Sequence, residues 1–153
     1  MIRTDQQGRT SYPNIFAVGD NATVIDVLTG KPIYMGDRDH GHQMSLNVAK
    51  VLTGFKASYR VPRYQRDVFF GGIHMTSVGL TSVEAQNEGF EADRVYLSGD
   101  GWGDHAYLVY KKGTKKVLGF SSVSKEDVGW KSIDVLMAMM RRWPITKLGV
   151  EVS

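Results

Sequence analysis

The chain beyond about residue 60 consists of short apolar runs separated by glycine and polar residues, and this pattern predicts β-strands. Val68 to Phe70, Ile73 to Val78 and Arg94 to Ser98 are runs rich in β-favouring side chains. Each has the length of a strand and is bounded by residues that favour turns. We therefore predict a strand in each of these runs.

Two further runs, His105 to Lys111 and Lys116 to Ser122, flank a turn at Gly113 and predict a β-hairpin. Side chains at alternate positions of a strand share one face. The hairpin residues expected to face a common core are Ala106, Leu108, Tyr110, Leu118 and Phe120.

Helix signals lie between and after these strands. Thr81 and Glu84 have the spacing of a capping box, Leu80 and Ala85 can form a hydrophobic staple, and Gly89 ends the element. These signals predict a short helix.

A longer helix is predicted from about Asp127 to Arg142, with Ser124 as the candidate N-cap and Pro144 beyond its end. The residues expected to form its apolar core stripe are Ile133, Leu136, Met137 and Met140. We place Met139 and Trp143 on a second apolar face, at an interface with a partner; the alternative is a well-buried core helix. Strands in succession followed by a packed helix indicate an α+β fold with an antiparallel sheet.

The first third of the chain shows fewer elements. We predict a short strand at Ile15 to Val18 and a helix from about His42 to Thr53, which Gly54 ends. The helix face is expected to comprise Met44, Val48, Val51 and Leu52. One strand and one helix do not build a core, and the connector from Asn21 to Gly41 is long for a compact domain. We interpret this segment as a strand-loop-helix remnant of a larger domain.

Composition excludes several classes of function. The chain has 153 residues, 42% of them hydrophobic and 23% charged, which fits one ordinary domain or a small domain with an appendage. It has no cysteine, which excludes disulfides, thiolate metal sites and a redox-active thiol of its own. Its N-terminus carries no signal-peptide pattern, and no stretch approaches the roughly 20 apolar residues that cross a bilayer. We expect a cytoplasmic protein with no membrane partner.

Two polar clusters are interpreted as solvated surface. The lysines at 111, 112, 115 and 116 surround the predicted hairpin turn, and the net charge is only +3, so we expect no nucleic-acid partner. The run from Gly36 to His42 contains carboxylates and imidazoles, which are metal-ligand types. Adjacent residues in a glycine-flanked loop have no rigid frame, so we predict no metal site there.

The string from Thr10 to Asp20, TSYPNIFAVGD, closely resembles the segment that ends the FAD domain of pyridine nucleotide-disulfide oxidoreductases. A second string, Thr76 to Ala85, is similar to the start of the same family's C-terminal interface domain. The resemblance implies that the Asp20 carboxylate accepts a hydrogen bond from a flavin ribityl hydroxyl and that the following helix start faces the pyrophosphate. It implies cofactor-binding roles for Ala17, Gly19 and Asp20 and assigns no catalytic or metal-binding residue.

Two shorter strings, Leu28 to Pro32 and Ser132 to Val135, resemble the NADH oxidase and CoA-disulfide reductase branch of that family. The resemblance covers the chain from Thr4 to Val152. There are departures: the segment Gly41 to Ser45 retains only Gln43 of the branch pattern, and Lys131 is followed by serine where the branch has a second basic residue.

The resemblance implies that residues 1–58 are the incomplete end of an FAD domain. It also implies that residues 59–153 are an interface domain that pairs as a homodimer. Its other partner would be the remainder of the FAD and NAD(P) domains. No G-x-G-x-x-G string is present, so FAD is expected in the full-length parent and not on this chain alone, which we expect to be non-catalytic. The alternative hypothesis is a complete small non-enzymatic binding partner or half of a split reductase. The parent's electron acceptor is left open among disulfide, oxygen, peroxide and persulfide, as is the choice between NADH and NADPH.

Overall fold

The structure is a computed structural model that describes residues 1–63 and 65–152, without the side chains of Gln65 and Arg66. The chain divides into two compact units, Met1–Arg63 and Tyr64–Ser153. The predicted domain boundary, between residues 58 and 59, lies slightly earlier. Arg60 and Val61 pair with a strand of the first unit, which keeps them with that unit.

The first unit contains a small sheet and one α-helix. Its elements are β1 (Thr23–Asp26), β2 (Pro32–Tyr34), α1 (Arg38–Leu52) and β3 (Arg60–Val61). The sheet order is β2-β1-β3, with β1 antiparallel to β2 and parallel to β3. Ala22, Val24, Met35, Met44 and Val61 are buried. The prediction of a lone strand and helix joined by a structureless connector was wrong, because a hairpin lies inside that connector.

A buried aspartate closes this hairpin. Asp26 is completely buried, its Oδ1 accepts from the backbone N–H of Leu28 at 3.0 Å, and its Oδ2 accepts from the Thr29 hydroxyl at 2.8 Å. The Gly30 N–H donates to the Asp26 carbonyl at 2.8 Å. Satisfied polar groups of this kind make burial of a carboxylate tolerable. The side chain of Asp26 therefore fixes the turn between β1 and β2.

The strand predicted at Ile15 to Val18 is not formed, and this prediction was wrong. Phe16 makes one isolated bridge with Arg9, and the Ala17 N–H donates to the Gly8 carbonyl at 3.1 Å. Ile15 and Val18 are both exposed. An apolar run forms a buried strand only where neighbouring strands cover it, and within the described residues this run forms one arm of a short surface loop.

The first-unit helix begins earlier than its apolar periodicity indicates. Helix α1 starts at Arg38 because Asp37 is its N-cap, so residues predicted as a loop form its first turn. Met44 and Val48 are buried as predicted, whereas Leu52 is exposed. At the other end Gly54 has a φ of +85°, and the Phe55 N–H donates to the Lys50 carbonyl at 2.9 Å. This is the glycine-terminated end that the sequence predicts.

The second unit is built on a five-stranded sheet of order β4-β5-β8-β7-β6. Its strands are β4 (Gln65–Phe70), β5 (Ile73–Gly79), β6 (Ala92–Leu97), β7 (His105–Lys111) and β8 (Val117–Ser124). All neighbouring pairs are antiparallel. The predicted α+β class with an antiparallel sheet is confirmed.

One face of this sheet holds the core. Val78 lies opposite Phe120, and Phe120 lies opposite Leu108, so the three side chains form a row across adjacent strands. Each is at most 2% exposed. The five hairpin residues predicted to be in the core are all buried. The burial of these five residues is therefore as predicted, although Val109 and Val117 are buried as well, and the strand register shifts between Val109 and Tyr110.

Helix α2 (Ser82–Asn87) carries the predicted capping box. The Glu84 N–H donates to the Thr81 hydroxyl at 3.2 Å, and the Thr81 N–H donates to the Glu84 carboxylate at 2.9 Å. Leu80 and Ala85 are buried on either side of the cap. Gly89 adopts a φ of +83° just beyond the helix.

Helix α3 (Gly129–Met140) packs on β5 and β8. Its predicted cap was wrong, because Ser124 lies in β8 and the N-cap residue is Val128, which makes no side-chain cap bond. Its predicted core stripe was also wrong. The residues that face the sheet are Ser132, Val135, Ala138 and Met139, whereas Ile133 and Met140 are exposed.

Close packing explains this orientation. A Cβ added to Gly79, whose φ is +77°, would lie 2.6 Å from the Met139 sulfur. The small residues Ser132 and Ala138 lie on the same buried side of the helix. Helices approach a sheet closely where their facing side chains are small. Met139 is therefore a core residue, and its predicted place at an interface was wrong.

Candidate functional site

Of the cofactor-binding residues implied by the resemblance, Gly19 and Asp20 lie in a single 3₁₀ turn, Gly19–Asn21. Gly19 has a φ of +76°, a backbone conformation that favours glycine. Asp20 is exposed, and within the described residues its carboxylate has no hydrogen-bond or ion-pair partner. Ala17 lies two positions before the turn and is half-buried. The turn presents a carboxylate that is available to accept a hydrogen bond.

The start of α1 lies directly beside this turn. A Cβ added to Gly41 would lie 3.4 Å from the Gly19 Cα. The Gly41 N–H donates to the Asp37 carbonyl at 3.0 Å, so Gly41 is part of the helix backbone. The first turn of α1 is therefore within van der Waals range of the turn that carries Asp20.

The amides at the start of α1 are already engaged by a carboxylate. Asp37 Oδ1 accepts from the Asp39 N–H at 2.8 Å and from the His40 N–H at 3.4 Å. Asp39 adds a second negative charge in the first turn, and its ion pair with Arg38 is almost fully exposed and hence weak. An anion that approached this end of the helix would meet both carboxylates.

These observations test how the residues present would fit an FAD molecule. The exposed Asp20 carboxylate beside a glycine turn fits an acceptor for a ribityl hydroxyl. The start of α1 does not fit a pyrophosphate. The Asp39 and His40 amides of the first helical turn already donate to the Asp37 carboxylate, and the negative charge of Asp37 repels a second anion. The contact between the helix start and a pyrophosphate that the resemblance implies is therefore not supported by this site.

A histidine–tyrosine pair holds the same helix end in place. His40 Nδ1 lies 2.6 Å from the Tyr59 hydroxyl oxygen, and both side chains are about half-buried. Burial lowers the pKa of His40 despite the opposing charges of Asp37 and Asp39. Burial, with a smaller contribution from Asp37, raises the pKa of Tyr59 to about 12. The Tyr59 N–H also donates to the Gln6 carbonyl at 2.8 Å, so the pair links α1 to two other segments.

Within residues 1–63 and 65–152, no group of three or more histidine, aspartate or glutamate side chains is placed to hold a metal ion. The charged run from Gly36 to His42, interpreted from sequence as a loop, forms the cap and first turn of α1. In the described part of the chain, no helix combines the length and the apolar character that crossing a membrane requires.

The second unit has two apolar surfaces. We call the first the outer α3 stripe, and it consists of Trp130, Ile133, Met137 and Met140. We call the second the open sheet face, and it includes Val68, Met75, Tyr96, Tyr107 and Val123. On this face the Tyr96 and Tyr107 rings meet edge to face at 5.5 Å, and the Tyr96 hydroxyl lies 2.7 Å from His105 Nδ1.

Sequence reasoning identified Asp20 as a candidate site residue but missed two features of the first unit and one of the second. Asp37 as the helix cap was hidden because the first turn of α1 is polar, so apolar periodicity starts only at Met44. The pairing of His40 with Tyr59 joins residues 19 apart in sequence, and no local spacing signals it. In the second unit, Ile133, Met137 and Met140 of the outer α3 stripe were predicted to lie in the core.

Comparison with known proteins gives two kinds of match, although no family model matches the chain. A curated NADH oxidase of Enterococcus faecalis is 23% identical, with 97% of this chain and 35% of the relative aligned. A CoA-dependent NAD(P)H sulfur oxidoreductase of Pyrococcus furiosus is 25% identical, with 82% of this chain and 30% of the relative aligned.

Solved structures show the same fold over the full length of the chain. The NAD-dependent persulfide reductase of A. fulgidus matches with a TM-score of 0.85 at 21% identity, over 99% of this chain and 30% of that protein. The water-forming NADH oxidase of Lactobacillus brevis matches with a TM-score of 0.83 at 24% identity, over 99% of this chain and 36% of that protein.

These matches confirm the resemblance to pyridine nucleotide-disulfide oxidoreductases that the sequence motifs indicated. The chain spans only 30 to 36% of the length of these four relatives. It is thus similar to one part of those proteins, and the α+β architecture described above is the architecture of that part.

Proposed function

We propose that the chain is the C-terminal dimerisation region of an FAD-dependent NAD(P)H oxidoreductase of the pyridine nucleotide-disulfide type. The observation that carries this proposal is the distribution of apolar surface in the second unit. One face of α3 packs on the sheet, while Trp130, Ile133 and Met140 on its other face remain exposed. Soluble monomers rarely leave contiguous apolar patches of this kind uncovered, whereas homodimer interfaces are rich in them.

FAD would be bound in the full-length parent, to which this chain would contribute Ala17, Gly19 and Asp20. The exposed Asp20 carboxylate supports the role of a hydroxyl acceptor. When bound, the flavin would supply hydride transfer with a nicotinamide cofactor. Nothing in this sequence supplies a glycine-rich dinucleotide loop or a cysteine, so the redox chemistry would belong to the remainder of the FAD and NAD(P) domains.

The alternative is a complete small non-enzymatic binding partner or half of a split reductase. The carboxylate-capped start of α1 favours it, because Asp37 opposes the pyrophosphate contact that a flavin domain would make there. The sheet and buried residues of the first unit favour it as well, because that unit is more than a bare remnant. The coding region upstream of Met1 separates the two functions: an in-frame glycine-rich loop and cysteine support the first, and a ribosome-binding site supports the second.

Sedimentation equilibrium of the full chain over a hundredfold range of concentration tests the dimerisation role directly. We expect a monomer–dimer equilibrium whose weight-average mass rises toward twice that of the chain. A monomer mass at every concentration would refute the dimerisation role, whereas trimers or open-ended assemblies would refute two-fold pairing.

A further inference from the structure

An open groove in the first unit contains an arginine without a partner. Arg60 lies in β3, and its side chain lines a groove of about 520 Å³ together with Ile25, Gly30 and residues 5–7. Among the described residues the Arg60 guanidinium has no hydrogen-bond or ion-pair partner, and its Nε is buried. Buried donors are normally paired, and an unpaired charged donor is especially unfavourable. The groove therefore contains a cation for which the described chain supplies no acceptor.

Backbone hydrogen bonds fix the segments that form this groove. The Tyr59 N–H donates to the Gln6 carbonyl at 2.8 Å, which ties the strand of Arg60 to the segment 5–7. Arg60 also lies opposite Ile25 in the parallel pairing of β3 with β1. Gly30 belongs to the β1–β2 turn, which hydrogen bonds hold as well. The groove is thus formed before any ligand arrives, and preformed sites lose less entropy on binding.

Two glutamine side chains add neutral donors to the groove. The Gln7 Oε1 accepts from the Arg9 Nε at 3.2 Å. Because an arginine only donates, Gln7 turns its oxygen toward Arg9, and its amide N–H groups stay unpaired within the described chain. The Gln6 side chain is exposed and likewise has no partner among the described residues. Together with Arg60, these amides form a set of donors that an oxyanion can accept from.

Asp5 limits the charge of the ligand that the groove accepts. Its Oδ1 accepts from the Gln7 N–H at 2.8 Å and from the Arg9 N–H at 3.0 Å, and its carboxylate lines the same groove. One guanidinium and one carboxylate make the groove neutral in sum. The Coulomb attraction of a ligand grows in proportion to its charge, whereas the cost of desolvating it grows with the square of that charge. A monoanion is therefore favoured over a dianion such as phosphate.

We propose that this groove binds a small monocarboxylate, whose carboxylate accepts from the Arg60 guanidinium. The amides of Gln6 and Gln7 donate beside it, and Ile25 contacts the apolar part of the ligand. The planar guanidinium matches a carboxylate in shape. The first unit carries eight basic residues against five acidic ones, so its field also attracts an anion. The site goes beyond the proposed dimerisation role and is independent of it, because all of its residues belong to the first unit.

A ligand titration of the full chain by ¹H–¹⁵N NMR tests the chemistry of the site, with benzoate as the probe and benzamide as its neutral isostere. Benzoate should shift the Arg60 Nε–H resonance saturably, with a dissociation constant in the millimolar range. Benzamide should bind about tenfold or more weakly, because it lacks the charge that the guanidinium recognises. Arg60→Lys identifies the resonance by removing it. Equal responses to the two probes, or a response to benzoate that does not saturate, would overturn the proposal.

Three variants test the assigned residues, with the Gln7 side-chain amide resonances as the readout. Arg60→Gln should weaken benzoate binding about tenfold or more, whereas Arg38→Gln, at a guanidinium that is 95% exposed in the same unit, should leave it unchanged. Equal weakening by both variants, or by neither, would mean diffuse attraction to basic surface and would overturn the site.

Asp5→Asn keeps an acceptor for the turn amides and removes the opposing charge of the carboxylate. It should tighten benzoate binding and allow inorganic phosphate to bind. This variant leaves β3 untouched, so it tests the proposal even if Arg60→Gln unfolds the first unit, which circular dichroism would show. Unchanged affinities for both probes in Asp5→Asn would contradict the proposed groove.

Discussion

Met139 and Met140 are neighbours in sequence with opposite environments, and truncating each of them tests how α3 is oriented. Met139 is 0% exposed and Met140 is 44% exposed. The Met139 sulfur packs against the backbone at Gly79, where the Leu80 N–H donates to the Leu118 carbonyl at 2.9 Å. Hydrogen-bonded strands cannot collapse into the space that Met139→Ala leaves. We therefore expect Met139→Ala to lower the free energy of unfolding by about 2–5 kcal/mol and Met140→Ala to lower it by less than about 0.5 kcal/mol.

Urea unfolding monitored by tryptophan fluorescence measures both losses of stability, at a protein concentration low enough that self-association does not contribute. Thermal unfolding should show Met139→Ala lowering Tm by about 10 °C or more in a unit of this size. The larger of the two losses shows which of the two methionines faces the sheet. Equal losses, or a larger loss for Met140→Ala, would contradict the assignment of Met139 to the core and of Met140 to the exposed face of α3.

Three further predictions concern the helix ends and the candidate site. Thr81→Ala should cost about 1 kcal/mol by removing the cap of α2, whereas Glu84→Gln, which keeps an acceptor at the same place, should cost less; urea unfolding compares them. Burial lowers the pKa of His40 in the folded chain below its value of 6.5 in the unfolded chain. The neutral imidazole therefore contributes fully to the free energy of unfolding above pH 6.5, and this contribution is lost as the pH falls through the folded-state pKa. Burial raises the pKa of Tyr59 from 10.0 to about 12, so the neutral phenol contributes to the free energy of unfolding below pH 10 and this contribution is lost as the pH rises through about 12. The pH dependence of unfolding should therefore differ between wild type and Tyr59→Phe at alkaline pH. Identical profiles would refute this prediction. The isolated chain should bind no FAD at micromolar concentrations in a flavin fluorescence titration, and saturable quenching that Asp20→Ala abolishes would contradict the proposal.

The second unit was predictable because its signals are local. Alternation along β5, β7 and β8 fixes which side chains share a face, and the Thr81–Glu84 spacing specifies the start of α2 without any distant contact. The orientation of α3 was not predictable from periodicity. Both of its faces are apolar, and the face that packs on the sheet was decided by small residues, Ser132 and Ala138, which carry little hydrophobic signal of their own.

The first unit was less predictable because its elements are short and depend on distant partners. Strand β3 is only two residues long and exists through parallel pairing with β1. The β1–β2 turn depends on a buried aspartate, Asp26, a residue type that sequence patterns assign to the surface. The apolar run at Ile15 to Val18 shows the reverse error, since its composition favours a buried strand and its place in the described chain is an exposed loop.

The start of α1 shows why a resemblance must be checked residue by residue. A helix start offers a small number of free amides, and here the Asp39 and His40 amides donate to the carboxylate of Asp37. Capping by an aspartate stabilises the helix but sets a negative charge where a phosphate would otherwise be attracted. Asp20 faces no such conflict, because a carboxylate that accepts from a hydroxyl needs no neighbouring cation. The two contacts implied by the resemblance therefore fit this chain differently: an exposed carboxylate is present at Asp20, where a hydroxyl acceptor is implied, whereas Asp37 occupies the helix amides where a phosphate contact is implied.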